Sequence, residues 1–376
     1  MLAGRNEDLA FPLLLERPLI KPSRAVLESV CGKRVLLTGA GGSIGSELAL
    51  QVAEHGPASL VLVDHSELAL YEINATLANA EVPFRVFPAL ADVRDRSCLN
   101  RLFQAEEPEL VLHAAALKHV PLLESPHNLV EAVQTNVGGT VNVAEMCGAY
   151  DAPLVVISTD KAVNPSSVMG LTKRVAELAV FDEASRWPAM RAAVVRFGNV
   201  LGSSGSVVPL FRRQIAHGGP VTVTHPEMTR FMMSIREAVY LVLQTSAQPF
   251  PARSVAVYVL EMGEPVKIAD LARQLIRMVG LRPGEDIDIV YTGIRPGEKL
   301  HEELHYAAET PHPTGIAGAR GFDVPVQASG VWRRVRQVLD AAVARDALGL
   351  RALLRELVPE YAANTLANEH ADKEVA

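Results

Sequence analysis

The chain has 376 residues, enough for one large α/β domain or two smaller ones with an ample core. A formal charge of -7 argues against a general nucleic-acid binder but leaves room for a local basic pocket, and 49% hydrophobic residues describe an ordinary globular composition. Three cysteines, Cys31, Cys98 and Cys147, are odd in number and lack Cys-x-x-Cys spacing, which argues against a disulfide framework or a metal site. No run reaches the ~18 consecutive apolar residues of a membrane span, and the N-terminus carries acidic residues where a signal peptide would be basic and then apolar, so a cytoplasmic setting is expected.

Residues 1–30 place Pro12, Pro18 and Pro22 among leucines and basic residues, which predicts an extended strap and a short helix up to Val30. Arg34 to Leu37 then reads as a buried strand, Thr38 to Gly45 as a glycine-rich turn and Ser46 to His55 as a helix. Gly39, Gly42 and Gly45, with Ser43 and Ile44 between them, form a turn whose backbone can approach a pyrophosphate at a helix N-terminus. A second strand, Leu60 to Val63, ends in Asp64, an acid in position to accept hydrogen bonds from an adenosine ribose. His65-Ser66-Glu67 follows, with no neighbouring arginine for a 2′-phosphate, so NAD is favoured over NADP.

The alternation continues. Phe84 to Phe87 reads as a strand, followed by a turn at Asp92 and Val93 suited to an adenine ring. Glu109 to His113 is the next strand, after which Ala114, Ala115 and Ala116 let a cofactor lie close to the backbone. A helix from about His127 to Tyr150 carries Asn136 and leads to the strand Leu154 to Ile157. Ser158, Thr159, Asp160 and Lys161 therefore fall at a strand's carboxyl end, where open α/β sheets bind ligands. An amine and a carboxyl side by side there are candidates for a base and an acid; as an isolated dipeptide they could equally be a surface ion pair.

After Lys173 a helix runs toward Trp187, and the strand Ala192 to Arg196 leads to Asn199. From Gly202 the rhythm loosens: a flexible glycine-serine loop, a helix from Val207 to His217, a loop from Thr222 to Phe231 containing Arg230, a strand-helix pair over Ala256 to Gly280 and a strand at Ile287 to Tyr291. Arg295-Pro-Gly-Glu298-Lys is a basic turn suited to a diphosphate. Amphipathic helices are expected near Val331 to Ala344 and Ala347 to Leu357, then a polar run from Asn364. Strands separated by helices of this length predict an α/β fold, a Rossmann-type doubly wound parallel sheet.

Together these segments resemble the extended short-chain dehydrogenase/reductases, and within them the bacterial UDP-N-acetylglucosamine 4,6-dehydratases of capsule, O-antigen and glycan biosynthesis. The resemblance rests on Thr38-Gly-Ala-Gly-Gly-Ser-Ile-Gly-Ser-Glu47, Ala114-Ala-Ala-Leu-Lys-His-Val-Pro121, Thr135-Asn-Val-Gly-Gly-Thr140, Ser158-Thr-Asp-Lys161, Arg196-Phe-Gly-Asn-Val-Leu-Gly202, Met228-Thr-Arg-Phe231 and Arg295-Pro-Gly-Glu-Lys299. It implies a strap over residues 1–30, an NAD-binding Rossmann domain over 31–200, a smaller C-terminal substrate-binding α/β subdomain over 201–325 with crossover segments, and C-terminal helices with a polar tail over 326–376. Many relatives add an N-terminal membrane region and a second nucleotide-like domain; this sequence is expected to correspond to a soluble form or a catalytic part. A homo-oligomer is implied as well.

In the implied reaction C4 of the sugar is oxidised with NAD as hydride acceptor, water leaves across C5 and C6, and the hydride returns to C6. The resemblance makes Lys161 the base at C5 and Asp160 the acid at C6, with Thr159 on the 4′-hydroxyl and Lys173 on the nicotinamide ribose. Lys161 is expected to be neutral, its pKa depressed by burial or neighbouring cations. Ser158 joins the cofactor set. Lys118 and His119 are expected near the cofactor and sugar, and Asn199, Thr222, Arg230, Arg295 and Glu298 at the UDP portion. The superfamily generally places a tyrosine four residues before the active-site lysine; here Met169 stands there, and a thioether cannot act as acid or base. This Ser/Met/Lys pattern resembles the branch of dehydratases that retains configuration at C5. An inverting dehydratase, an NAD-dependent UDP-sugar epimerase and a non-catalytic nucleotide-binding scaffold are the alternatives.

Overall fold

The computed structural model describes residues 29–187, 189–248, 255–323 and 331–361. The expected strap over residues 1–30, apart from its last two positions, and the polar run from Asn364 lie outside the described residues. The first half alternates β1 (Arg34–Thr38), α1 (Ser43–Glu54), β2 (Ser59–Asp64), α2 (Glu67–Asn79), β3 (Arg85–Leu90), α3 (Arg96–Glu106) and β4 (Leu110–His113). Then come α4 (Val120–Leu123), α5 (Pro126–Ala132), a π-helical turn (Val133–Gly138), α6 (Gly139–Ala149), β5 (Leu154–Ile157), a 3-10 turn (Asp160–Ala162), α7 (Val168–Arg186) and β6 (Ala192–Arg196).

The second half holds β7 (Asn199–Leu201), α8 (Val207–Ala216), β8 (Val221–Val223), β9 (Thr229–Arg230), β10 (Met232–Ser234), α9 (Ile235–Ser246), β11 (Val255–Leu260), β12 (Val266–Lys267), α10 (Ile268–Met278), β13 (Ile289–Tyr291), β14 (Thr310–Pro313), β15 (Ala319–Asp323), α11 (Val331–Val343) and α12 (Ala347–Leu357).

A nine-stranded sheet runs in the order β14-β15-β11-β6-β5-β4-β1-β2-β3. It is parallel from β3 to β11. β15 and β14 add an antiparallel edge that the sequence reading did not anticipate. The chain winds outward from β1 to β3 and then crosses back to β4, so the loops after β1 and β4 open a crevice at the switch point, where such sheets bind ligands.

Central strands are apolar on both sides because both faces are covered by helices. Val35 and Leu37 of β1 pack with Leu48 and Val52 of α1 and with Val239 and Leu243 of α9. Leu36 points the other way, toward Phe103 and Val143. α7 is enclosed by the sheet, α6 and α11 and is buried on nearly every side. Its polar residues Lys173, Arg174 and Glu177 are therefore inside the protein, where charges need partners. A separate apolar cluster, with Phe211 of α8, Val221 of β8 and Leu275 of α10, forms a smaller body over the carboxyl edge. α11 and α12 pack Val335, Val338 and Leu354 against Val133, Leu171 and Val175, on the Rossmann side of the molecule.

Several expectations are corrected. α1 starts at Ser43, and α7 starts at Val168 so that Met169 and Lys173 share one helical face. β3 continues through Pro88, which an edge strand tolerates because its missing N–H faces no partner. The single helix expected from His127 to Tyr150 is broken by the π turn. The loop expected from Thr222 to Phe231 holds β9 and the end of β8, and α9 follows it. No helix of the described residues is long and apolar enough to cross a membrane.

Candidate active site

The crevice holds two adjoining cavities. The first, of about 260 Å³, is bounded by Gly39, Gly42, Asp64, Asp92, Val93 and Ala114 to Ala116. Gly39 has φ +69° and leaves no room for a side chain, since a Cβ there would lie 2.6 Å from the Ala115 nitrogen. Gly42 is the N-cap of α1 without any side-chain cap, so the first amides of that helix point into the crevice with nothing bonded from their own turn. Asp64 is 8% exposed and accepts from Gly41 N and Ser66 N, both at 2.9 Å. Ser43 reaches across to the glycine-serine loop, where its Oγ accepts from Ser204 N at 3.1 Å. Ile44 packs against the core at the start of α1, and Gly45 lies buried in the first turn.

Three placements here differ from the sequence reading. Arg94, distant from Asp64 in sequence, borders the same cavity; its guanidinium is held by Asp92 at 2.6 Å and Glu131 at 2.9 Å. Asn136 is fully buried and does not reach the cavity. Its Oδ1 accepts from Leu117 N at 2.7 Å, and its Nδ2 donates to Leu117 O and Thr172 Oγ1, both at 3.0 Å, so it braces the loop that floors the cavity. This clamp sits in the π turn, whose extra residue turns Asn136 toward the loop. Ser158 is also buried, and its hydroxyl donates to Glu177 at 2.6 Å.

The second cavity, of about 270 Å³, is lined by Lys161 and by every residue assigned to the sugar nucleotide from sequence: Lys118, His119, Asn199, Thr222, Arg230, Arg295 and Glu298. β5 ends at Ile157, and the 3-10 turn folds Asp160 and Lys161 onto one another. Thr159 Oγ1 donates to Asp160 Oδ1 at 2.9 Å, and Lys161 Nζ donates to the same oxygen at 2.9 Å and to Asn199 Oδ1 at 2.8 Å. Asp160 is wholly buried, and its Oδ2 has no hydrogen-bond partner among the described residues. That oxygen would lie 2.8 Å from a Cβ at position 198, so the glycine there admits the carboxyl.

Electrostatics overturn one expectation. Burial alone would lower the pKa of Lys161, but the carboxyls of Asp160 and of Glu302, 3.7 Å away, outweigh it and hold the amine above its usual value. Lys161 rests as an ammonium rather than a neutral base. Glu302 was missed from sequence; nothing in the spacing after the Arg295 turn separates it from its exposed neighbour Glu303. Lys118 and His119 are both held below their ordinary values, by burial and, for His119, also by the Lys118 charge.

Lys173, on α7, donates to Ile157 O at 2.7 Å, and burial lowers its pKa to about 8. Met169, one turn earlier, is 6% exposed and packs in the apolar cluster with Leu123 and Leu129. Because the folded pKa of Lys173 lies below the unfolded value of 10.5, charging it opposes folding below about pH 8, and that penalty fades as pH rises toward 10.5. Lys173→Met is therefore expected to raise stability at pH 7 by on the order of 2–3 kcal/mol. It should also remove the rise of wild-type stability between pH 8 and 10.5, read from urea midpoints across that range. A variant less stable than wild type at pH 7 would refute this.

The doubly wound parallel sheet with its glycine turn is an α/β fold of Rossmann type, the fold of the extended short-chain dehydrogenases/reductases. The chain belongs to the family described as polysaccharide biosynthesis protein, whose pattern it matches over residues 35–318. It is 47% identical over 305 residues to the probable polysaccharide biosynthesis protein EpsC of Bacillus subtilis (strain 168), covering 80% of this chain and 50% of that protein. The chain thus spans about half the length of that relative. A UDP-N-acetylglucosamine 4,6-dehydratase (inverting) of Campylobacter jejuni is 34% identical over 275 residues, covering 72% of this chain and 76% of that one. Relatives named as UDP-glucose 4-epimerases match at comparable identity. Among solved structures, Pen from Bacillus thuringiensis superposes with a TM-score of 0.70 at 27% identity, covering 83% of this chain and 98% of that chain.

Proposed function

We propose that the chain catalyses the 4,6-dehydration of UDP-N-acetylglucosamine, with C5 configuration retained, using tightly held NAD. The observation that carries this reading is the hydrogen-bonded series Thr159, Asp160, Lys161 and Asn199 beside a cavity that also holds Arg230 and Arg295.

The first cavity fits a dinucleotide. Gly39 and Gly42 would offer its pyrophosphate a bare helix N-terminus, Asp64 would accept from the adenosine ribose, Asp92 and Val93 would hold the adenine, and Ala114 to Ala116 would let it lie close to the backbone. The Asp64 carboxyl disfavours a 2′-phosphate, and Arg94 is occupied by two acids, which supports NAD over NADP. When bound, the cofactor would supply a hydride acceptor for C4 and, in its reduced form, the hydride donor for C6 of the sugar.

The chain's own residues handle protons and charge. Thr159 Oγ1 takes the hydrogen bond of the 4′-hydroxyl and relays its proton to Asp160 Oδ1, in place of the tyrosine that Met169 replaces. The protonated Asp160 then gives that proton to the departing C6 hydroxyl, which leaves as water. Lys161, once neutral, removes the C5 proton, made acidic by the C4 ketone, and its ammonium, whose hydrogens exchange with solvent, delivers a proton to the same face as C6 is reduced. Arg230, Arg295 and Thr222 hold the diphosphate and uridine end, and Lys173 supports the nicotinamide ribose. A 4-epimerase needs neither Asp160 nor Lys161 and normally needs the tyrosine. An inverting enzyme would deliver the C5 proton to the other face.

Incubation with UDP-N-acetylglucosamine in deuterium oxide tests the reading. A C6 methyl signal, a 4-ketone or its hydrate, deuterium at C5 and ring couplings of the retained configuration are expected by proton NMR. A C4 epimer, or the C5-inverted product, would replace this reading with the corresponding alternative.

A further inference from the structure

The reaction proposed above needs a neutral Lys161, yet Lys161 rests as an ammonium between two acids. One of them, Asp160, is already the relay for the 4′-hydroxyl proton. The other, Glu302, has no part in that scheme. Its side chain is 3% exposed, its Oε1 lies 3.7 Å from Lys161 Nζ and 3.8 Å from Arg230 Nε, and its Oε2 has no hydrogen-bond partner among the described residues. It lines the same cavity as Lys161 and Arg230.

We propose that Glu302 is the proton store of Lys161: when a nucleoside diphosphate draws Arg230 toward its phosphates, the ammonium proton passes from Lys161 Nζ to the Glu302 carboxylate. One N–H bond breaks and one O–H bond forms, so amine and acid both become neutral without exchange with solvent. The groups that face Glu302 make this exchange feasible. Burial and the neighbouring Asp160 charge raise the pKa of Glu302, while Lys161, Arg230 and Lys299 oppose that rise. Arg230 opposes protonation of Lys161 and of Glu302 alike, but its Nε lies 3.8 Å from the Glu302 carboxyl, so moving it toward phosphate breaks the contact that holds Glu302 ionised. Glu302 acts through Lys161, and the proposal rests on the dehydratase reading.

A pH profile separates proton storage from mere support. In the wild-type holoenzyme the pair enters the C5 step with one proton across this pH range, so kcat is expected to vary little between pH 6 and 8. In Glu302→Gln the proton must leave to solvent, so kcat should fall about 10–100-fold at pH 6.5 and climb about tenfold per pH unit toward alkaline pH. Glu302→Asp should restore the flat profile at lower rate. A loss equal at every pH, or no loss at pH 6.5, would overturn the proposal.

A second measurement does not depend on turnover. In protein carrying carboxyl-labelled glutamate, with the Glu302 carbon signal identified by its absence from Glu302→Gln, addition of UDP should leave Glu302 protonated above pH 6. An ionised Glu302 in that complex would overturn the proposal. An inactive wild type with a protonated Glu302 would instead count against the dehydratase reading alone.

Discussion

Lys161→Gln is expected to lower kcat for dehydration by about 10²–10⁴-fold, the usual span for removal of a positioned base, while UDP affinity changes by only a few fold. Glutamine keeps a donor for Asp160 and Asn199, which Lys161 now contacts at 2.9 Å and 2.8 Å, so the local fold has a substitute for those bonds. Arg230 and Arg295, assigned to the diphosphate, are untouched. The loss should therefore appear in kcat, and deuterium should no longer enter C5 when any slow turnover is followed in deuterium oxide. Calorimetric titration with UDP supplies the control. A variant turning over within tenfold of wild type would remove Lys161 from its role at C5.

Arg196→Met is expected to destabilise the protein by about 3–5 kcal/mol at pH 7, the cost of leaving buried acids without their cation. Arg196, fully buried at the end of β6, contacts Glu177 at 2.7 Å and Glu309 at 2.8 Å. Burial would raise the pKa of Glu177, but Arg196, Arg174 and the Ser158 hydroxyl outweigh it and hold it at about 2. The sign follows. In the wild type the stabilisation from Glu177 is complete above its ordinary value of 4.5 and disappears as pH falls through about 2. In the variant Glu177 protonates readily, so the deficit should be largest near neutrality and shrink toward pH 5. Urea midpoints at pH 5 and pH 7 measure both. A constant deficit at the two values would mean that the arginine acts by packing alone.

Much of the site was legible because its demands are local. A turn that brings backbone to a phosphate needs glycine at set positions, and a strand end marks itself by an apolar run stopping at polar residues. The same logic brought Asp160 and Lys161 to the sheet's carboxyl edge without any knowledge of the structure. What escaped was what only distant chain segments determine. Glu302 meets Lys161 across a long stretch of sequence, and Arg94 reaches the Asp64 cavity from the next crossover. The resting charge of Lys161 depends on both of its acids, so a reading that saw one of them could not give its direction. α9 is a different case. Ser234 caps it by accepting from Glu237 N at 3.1 Å, and the Ser-x-x-Glu pattern ahead of an apolar run was available as a start signal. β3 runs past the expected Phe87 to Leu90 because Pro88 is tolerated in an edge strand, a position that sequence alone does not give.

The two outermost strands, β3 and β14, carry Pro88 in one case and Pro311 and Pro313 in the other. Proline offers no amide hydrogen, so each rim of the sheet is short of donors at the places where a foreign strand would zip on. The ribbon is blunted at both ends against edge-to-edge growth, so the nine-stranded sheet stands as a finished layer rather than a template.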